Sequence, residues 1–179
     1  STNSMNFKAL ALAAATATSM IAAPAAEAKG TFAEHTQLGN AVKSTGVVLK
    51  FNPMSCNEKD AFGWYWSARN EMVICQQNRS RYSTTEVQWT EEDLDTIRHE
   101  AQHLIQDCMD EELNGNLHSV YKEPLVLGKK VLGKAEVSRV FEAYADQSNH
   151  RQIMEVEAFA VAAMNDPMEQ VADIKKYCF

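Results

Sequence analysis

The chain has 179 residues, enough for one domain with its own hydrophobic core. A hydrophobic share of 45% and a charged share of 23% are ordinary globular values. The formal charge of −7 argues against a nucleic-acid partner and against docking on an anionic membrane surface, since both need clustered Lys and Arg.

In chain order, the first feature is a leader. Met5 reads as the start, with Ser1 to Ser4 as possible extra residues; Lys8 gives a positive n-region and residues 9–23 are largely apolar. Pro24 breaks that run, and Ala26-Glu27-Ala28 matches the small-x-small cleavage pattern. Residues 1–28 are therefore expected to be a signal peptide, leaving one domain over 29–179. The apolar run is short of the roughly 20 residues that span a bilayer, so a secreted or periplasmic protein is expected, with no stable membrane insertion once the signal is removed. Cys56, Cys75, Cys108 and Cys178 all follow the leader. An even count in an exported small domain reads as two disulfides. Three pairings exist; Cys56–Cys75 and Cys108–Cys178 are favoured, the first stapling a hairpin region and the second tying the C-terminus to a central helix.

Residues 29–45 are polar and mixed, a loop or a short helix. Residues 46–51 (Gly-Val-Val-Leu-Lys-Phe) read as a strand stopped by Asn52-Pro53. Residues 62–66 and 71–76 are β-prone, and the four residues between them fit a hairpin loop. Trp64, Tyr65 and Trp66 are expected to pack in the core. Thr90 is a good N-cap, and Glu91, Glu92 and Asp93 load the first turn with negative charge. Leu94, Ile97, Ala101, Leu104 and Cys108 then recur at helical spacing, which predicts a helix over 91–109. Residues 110–133 read as an irregular excursion, 134–147 and 150–165 as helices, and Pro167 as the first turn of a last short helix ending near Tyr177. The fold class is α+β, a small sheet followed by a helical half.

His99-Glu100-Ala101-Gln102-His103 is an HExxH motif inside that capped helix. Residues four apart on a helix share a face, so His99 and His103 can bind one ion, with zinc the expected metal. Glu100 projects beside them, placed to act as general base on water. Catalytic zinc usually has three protein ligands. The extended HExxHxxGxxH motif is excluded by Gln106 and Met109. Glu157 is the expected third ligand, because Ile153, Met154, Ala160, Val161 and Met164 surround it and a carboxylate among apolar residues is costly unless paired or metal-bound. Glu155, His118 and His150 are the alternatives; Glu155, with Arg151 and Gln152 among its neighbours, can face water. Tyr144 is the first choice as oxyanion donor, ahead of Tyr121, His118, His150 and Arg151. Asp95 and Asp107 can orient a histidine.

An HExxH helix followed by a later Glu-bearing helix resembles gluzincin-type zinc metallopeptidases; His99, Glu100, His103 and Glu157 are the matching residues, and the resemblance covers mainly residues 90–165. The chain is also similar to small exported bacterial zincin-like proteins with a Cys-flanked hairpin ahead of the HExxH helix. The resemblance implies a zincin-like domain that cleaves peptide bonds in a peptide or protein substrate. It also implies a strand beside the active-site helix that pairs with extended substrate, assigned to residues 71–76. The competing expectation is a non-catalytic exported zinc-binding or envelope interaction protein.

Overall fold

The computed structural model describes residues 30–179, and the expected signal peptide lies outside the described residues. The described residues open with helix α1 (Phe32–Ser44). Thr31 and Glu34 close a capping box at its start: the Glu34 amide donates to Thr31 Oγ1 (3.2 Å) and the Thr31 amide to Glu34 Oε1 (3.1 Å). Strand β1 (Val48–Phe51) follows, then β2 (Gly63–Trp66) and β3 (Glu71–Ile74). A single 3-10 turn, Ser67–Arg69, joins β2 to β3, closed by Asn70 in the left-handed region (φ 53°), where Asn is tolerated.

The sheet order is β1-β3-β2, with β1 parallel and β2 antiparallel to β3. This corrects the assignment of residues 71–76 to substrate pairing. Both edges of β3 are already hydrogen-bonded within the sheet, so it has no free edge to offer; β2 is the edge strand that packs on the HExxH helix. Cys56 and Cys75 form the expected disulfide, fastening the segment after β1 to the end of β3.

That helix, α2 (Glu91–Cys108), starts from a Thr90–Asp93 capping box. Asp93 also accepts the Gln77 amide (2.9 Å), which pins the segment after β3 to the helix start. Three more helices were legible from the pattern: α4 (Lys134–Ala143), α5 (Asn149–Met164) and α6 (Pro167–Tyr177). One was not. Helix α3 (Pro124–Val131) lies within the stretch expected to be irregular, and Pro124 at its first turn is its local signal. Gly128 brings α3 against α5; a Cβ there would meet Val156 Cγ1 at 2.3 Å.

Helix α2 is the centre of the molecule, buried between β2 and β3 on one side and α1, α5 and α6 on the others. Leu104, Ile105 and Ala101 join Leu38, Val42, Met72 and Ile174 in the main core. A second cluster of Val137, Val140, Tyr144 and Val156 fixes α4 onto α5. The expected Cys108–Cys178 bond ties the end of α2 to the residue after α6. Among the described residues, no helix is long and apolar enough to cross a membrane. The fold is α+β: a small mixed sheet backed by a helical half.

Candidate metal centre

His99 and His103 lie one turn apart on α2 and point at α5, where Glu155 meets them. His99 Nε2 is 3.1 Å from Glu155 Oε2, and His103 Nε2 is 3.0 Å from Oε1. The two Nε2 atoms are 3.1 Å from each other. Two imidazole nitrogens and a carboxylate at these separations can be bridged by a single ion with bonds of about 2 Å. The group is enclosed: His99 is 3% exposed, and His103 and Glu155 are fully buried. These three residues can hold a metal ion.

Glu157, the ligand expected from the sequence, is elsewhere. Its Oε1 accepts from the Gln102 and Gln106 side chains (3.1 Å each) and from the Val120 amide (3.0 Å), and its Oε2 accepts from the Tyr121 amide (3.1 Å). Glu157 is fully buried, as expected. Hydrogen bonds, not a metal, satisfy it. Glu155, the alternative ligand whose neighbours allow it to face water, is the one beside the imidazoles.

Gln106 links the two carboxylates. Its Nε2 donates to Met154 carbonyl oxygen (3.0 Å) and to Glu157, so its Oε1 is the atom 2.8 Å from His103 Nδ1. That acceptor places a proton on His103 Nδ1, so Nε2 is the nitrogen turned toward Glu155 and His99: it donates to Glu155 when it carries a proton and offers a lone pair to an ion when it does not. The ring of His99 packs edge-on against Phe159, with centroids 4.3 Å apart.

Glu100 is buried beside this group. Tyr65 of β2 gives it a backbone hydrogen bond, while Oε2 has no hydrogen-bond partner among the described residues. Burial pushes its carboxyl up to about 7, with the Glu155 charge adding to the rise and His99 and Arg151 opposing it. Such a carboxyl can take or give a proton near neutrality. Burial works against an ionised Glu155, but His103, Arg151 and hydrogen bonds from both histidines hold its pKa well below the usual carboxylate range. Burial pulls His103 down. The same burial acts on His99, but the hydrogen bond and charge of Glu155 overcome it and raise its pKa. Ion binding at this group therefore displaces protons.

Tyr144 reaches the same region. Burial, then the charges of Glu155 and Glu100, hold its phenol protonated far above the ordinary tyrosine range, and hydrogen bonding to Glu155 adds to this. Arg151, another candidate donor, lies 3.1 Å from Glu155 Oε1; the remaining candidates lie apart. His118 is exposed, 3.7 Å from Asp110. His150 donates to the Leu117 carbonyl (2.6 Å). Tyr121 donates its hydroxyl to Glu169 (3.1 Å). Asp95 pairs with Arg98 (3.3 Å). Asp107 orients no histidine: it accepts the Tyr65 hydroxyl (2.5 Å) and the Asn114 and Gly115 amides, joining the end of α2 to β2 and to the following loop. Trp64 packs by the Cys56–Cys75 bond with Trp66 against it, and Lys59 lies over both rings. The sequence missed Gln106 as the residue that orients His103; its place three residues after His103 was the available signal.

A family model described as Domain of unknown function (DUF8637) matches residues 30–179. No curated protein and no solved structure matches the chain.

Proposed function

The chain belongs to that family, whose description assigns no activity, and from the site we propose that it is a zinc-dependent hydrolase acting on peptide bonds, with a zincin-like arrangement and an exported location. The observation that carries the reading is the convergence of His99, His103 and Glu155 at 3.0–3.1 Å, with the Glu100 carboxyl held at about 7 beside them. Two imidazoles and one carboxylate are the donor set of a catalytic zinc site with one position left open. A tetrahedral zinc with bonds of about 2.0–2.1 Å separates its ligand atoms by about 3.3 Å, close to the separations seen here. Zinc bound there would supply Lewis acidity to a carbonyl and lower the pKa of water.

The chain's own residues do the rest. Gln106 keeps His103 in the tautomer that presents Nε2. Glu100 takes a proton from the attacking water and returns it to the leaving amine, a role suited to a carboxyl that titrates near neutrality. Tyr144, protonated and beside Glu155, is the donor available to the developing oxyanion. Phe159 against His99 supplies an apolar wall that excludes water. Two disulfides in the domain support an oxidising, extracytoplasmic compartment.

Glu100→Gln is the direct test. It removes the base and keeps the shape, so the variant is expected to bind zinc like the wild type and to lose roughly 100- to 10,000-fold in cleavage of an unstructured fluorogenic peptide pool. Unchanged cleavage by a zinc-loaded Glu100→Gln protein would sink the base assignment. The near-complete enclosure of the ligands favours a second reading, a non-catalytic exported metal-binding or envelope interaction protein. In that case the wild type itself binds zinc and cleaves nothing.

A further inference from the structure

We propose that Arg151 is the positioning residue of the metal centre: by engaging one oxygen of Glu155 it makes that carboxylate a single-oxygen ligand. This rests on the metal-centre reading above. Arg151 sits one turn before Glu155 on α5, and its Nη2 is 3.1 Å from Glu155 Oε1. On a surface helix such a pair contributes little. This pair is not on the surface: the Glu155 side chain is fully buried and that of Arg151 is 13% exposed. A buried carboxylate needs a counter-charge, and no other permanent cation is paired with Glu155 among the described residues.

The two oxygens of Glu155 are not equivalent. Oε1 receives Arg151 and faces His103, whereas Oε2 faces His99. With one lone pair of Oε1 committed to the guanidinium, symmetric two-oxygen ligation of an ion is disfavoured. The start of α5 fixes the arginine itself, since its amide donates to the N-cap Ser148 Oγ (3.1 Å). Lysine would keep the charge but lose the planar fork that fixes the direction of the bond.

The test compares full-length wild type with R151M, R151Q and R151K. Zinc affinity is read by chelator competition, and the zinc coordination shell by X-ray absorption. Wild type is expected to show one carboxylate oxygen. R151M and R151Q are expected to bind zinc roughly 10- to 100-fold more weakly and to gain a second oxygen in the shell. R151K is expected to fall between, with the wild-type shell. Wild-type affinity and an unchanged shell in either neutral variant that folds, checked by circular dichroism, overturns the proposal alone. A wild type that takes up no zinc overturns the metal-centre reading and this inference together.

Discussion

Glu155 and Glu157 lie two positions apart on α5, so their side chains diverge by about 200° around the helix. One meets His99 and His103; the other meets Gln102, Gln106 and the amides of Val120 and Tyr121. The sequence marked both as candidates and ranked them in the opposite order. Arg151 was the cause: a basic residue four positions from Glu155 reads as a solvated pair, whereas here it is the buried carboxylate's own counter-ion. The HExxH residues were legible because their spacing alone puts both imidazoles on one face, but the third ligand depends on how α5 docks. Glu155→Ala is expected to lower zinc affinity by more than the roughly 10- to 100-fold typical of supporting residues. Glu157→Gln should retain binding within that range and instead lower the melting temperature, because an amide NH2 would face amide donors. Chelator competition and thermal melts on the two variants check this. A pH effect belongs to Glu100. Its folded pKa of about 7 lies above the usual 4.5. The stability from a neutral Glu100 is full below about 4.5 and is lost as pH rises through about 7. At pH 8 the ionised buried carboxylate then costs on the order of 3 kcal/mol. Metal-free Glu100→Gln should therefore be more stable than metal-free wild type at pH 8, with the gap closing toward pH 5, as measured by denaturant unfolding.

The elements show where local pattern suffices and where contact decides. Helix α2 was readable to within one residue because Thr90, the acidic first turn and the apolar spacing agree. Helix α1 carries its own signal in Thr31 and Glu34, but its polar composition masks an amphipathic face that buries Leu38, Ala41 and Val42. The hairpin of β2 and β3 was legible from two β-prone runs joined by a four-residue loop. That β1 would pair in parallel on the far side of β3, making β3 the interior strand, was not, because sheet order is set by packing rather than by neighbours in sequence. Gly63 is the contact point between β2 and α2. A Cβ there would meet Val73 carbonyl oxygen at 2.6 Å and Thr96 Cγ2 at 2.8 Å, with Glu100 Cγ at 3.6 Å. Gly63→Ala should push the edge strand off the helix, at a cost of about 1–3 kcal/mol by the usual scale of overpacking. Because Tyr65 moves with that strand and bonds Glu100, the variant should also cleave peptide more slowly. Unfolding curves together with peptide cleavage by the zinc-loaded protein would expose the error if neither changes.

The whole molecule is organised around one buried helix. The sheet covers one side of α2 and three helices cover the rest, so the polar residues Arg98, Gln102, His103 and Gln106 are all enclosed and must find partners within the fold. Arg98 donates to the Ala162 carbonyl (2.9 Å) and lies 2.8 Å from His35 Nε2, tying α5 and α1 to the central helix. Gln170 of α6 donates to the Arg98 carbonyl (2.7 Å). Two covalent ties close this arrangement. Cys108–Cys178 spans 70 residues and Cys56–Cys75 spans 19. In the chain-entropy account these contribute about 4 and about 3 kcal/mol. Within this interior, two imidazole nitrogens and a carboxylate turn toward one another, a group that can hold a metal ion. Elemental mass spectrometry on the folded chain, purified without chelator and then offered zinc, measures this directly. One tightly held zinc per chain is predicted, lost in Glu155→Ala. A wild type that keeps no transition metal and takes up no zinc contradicts the account.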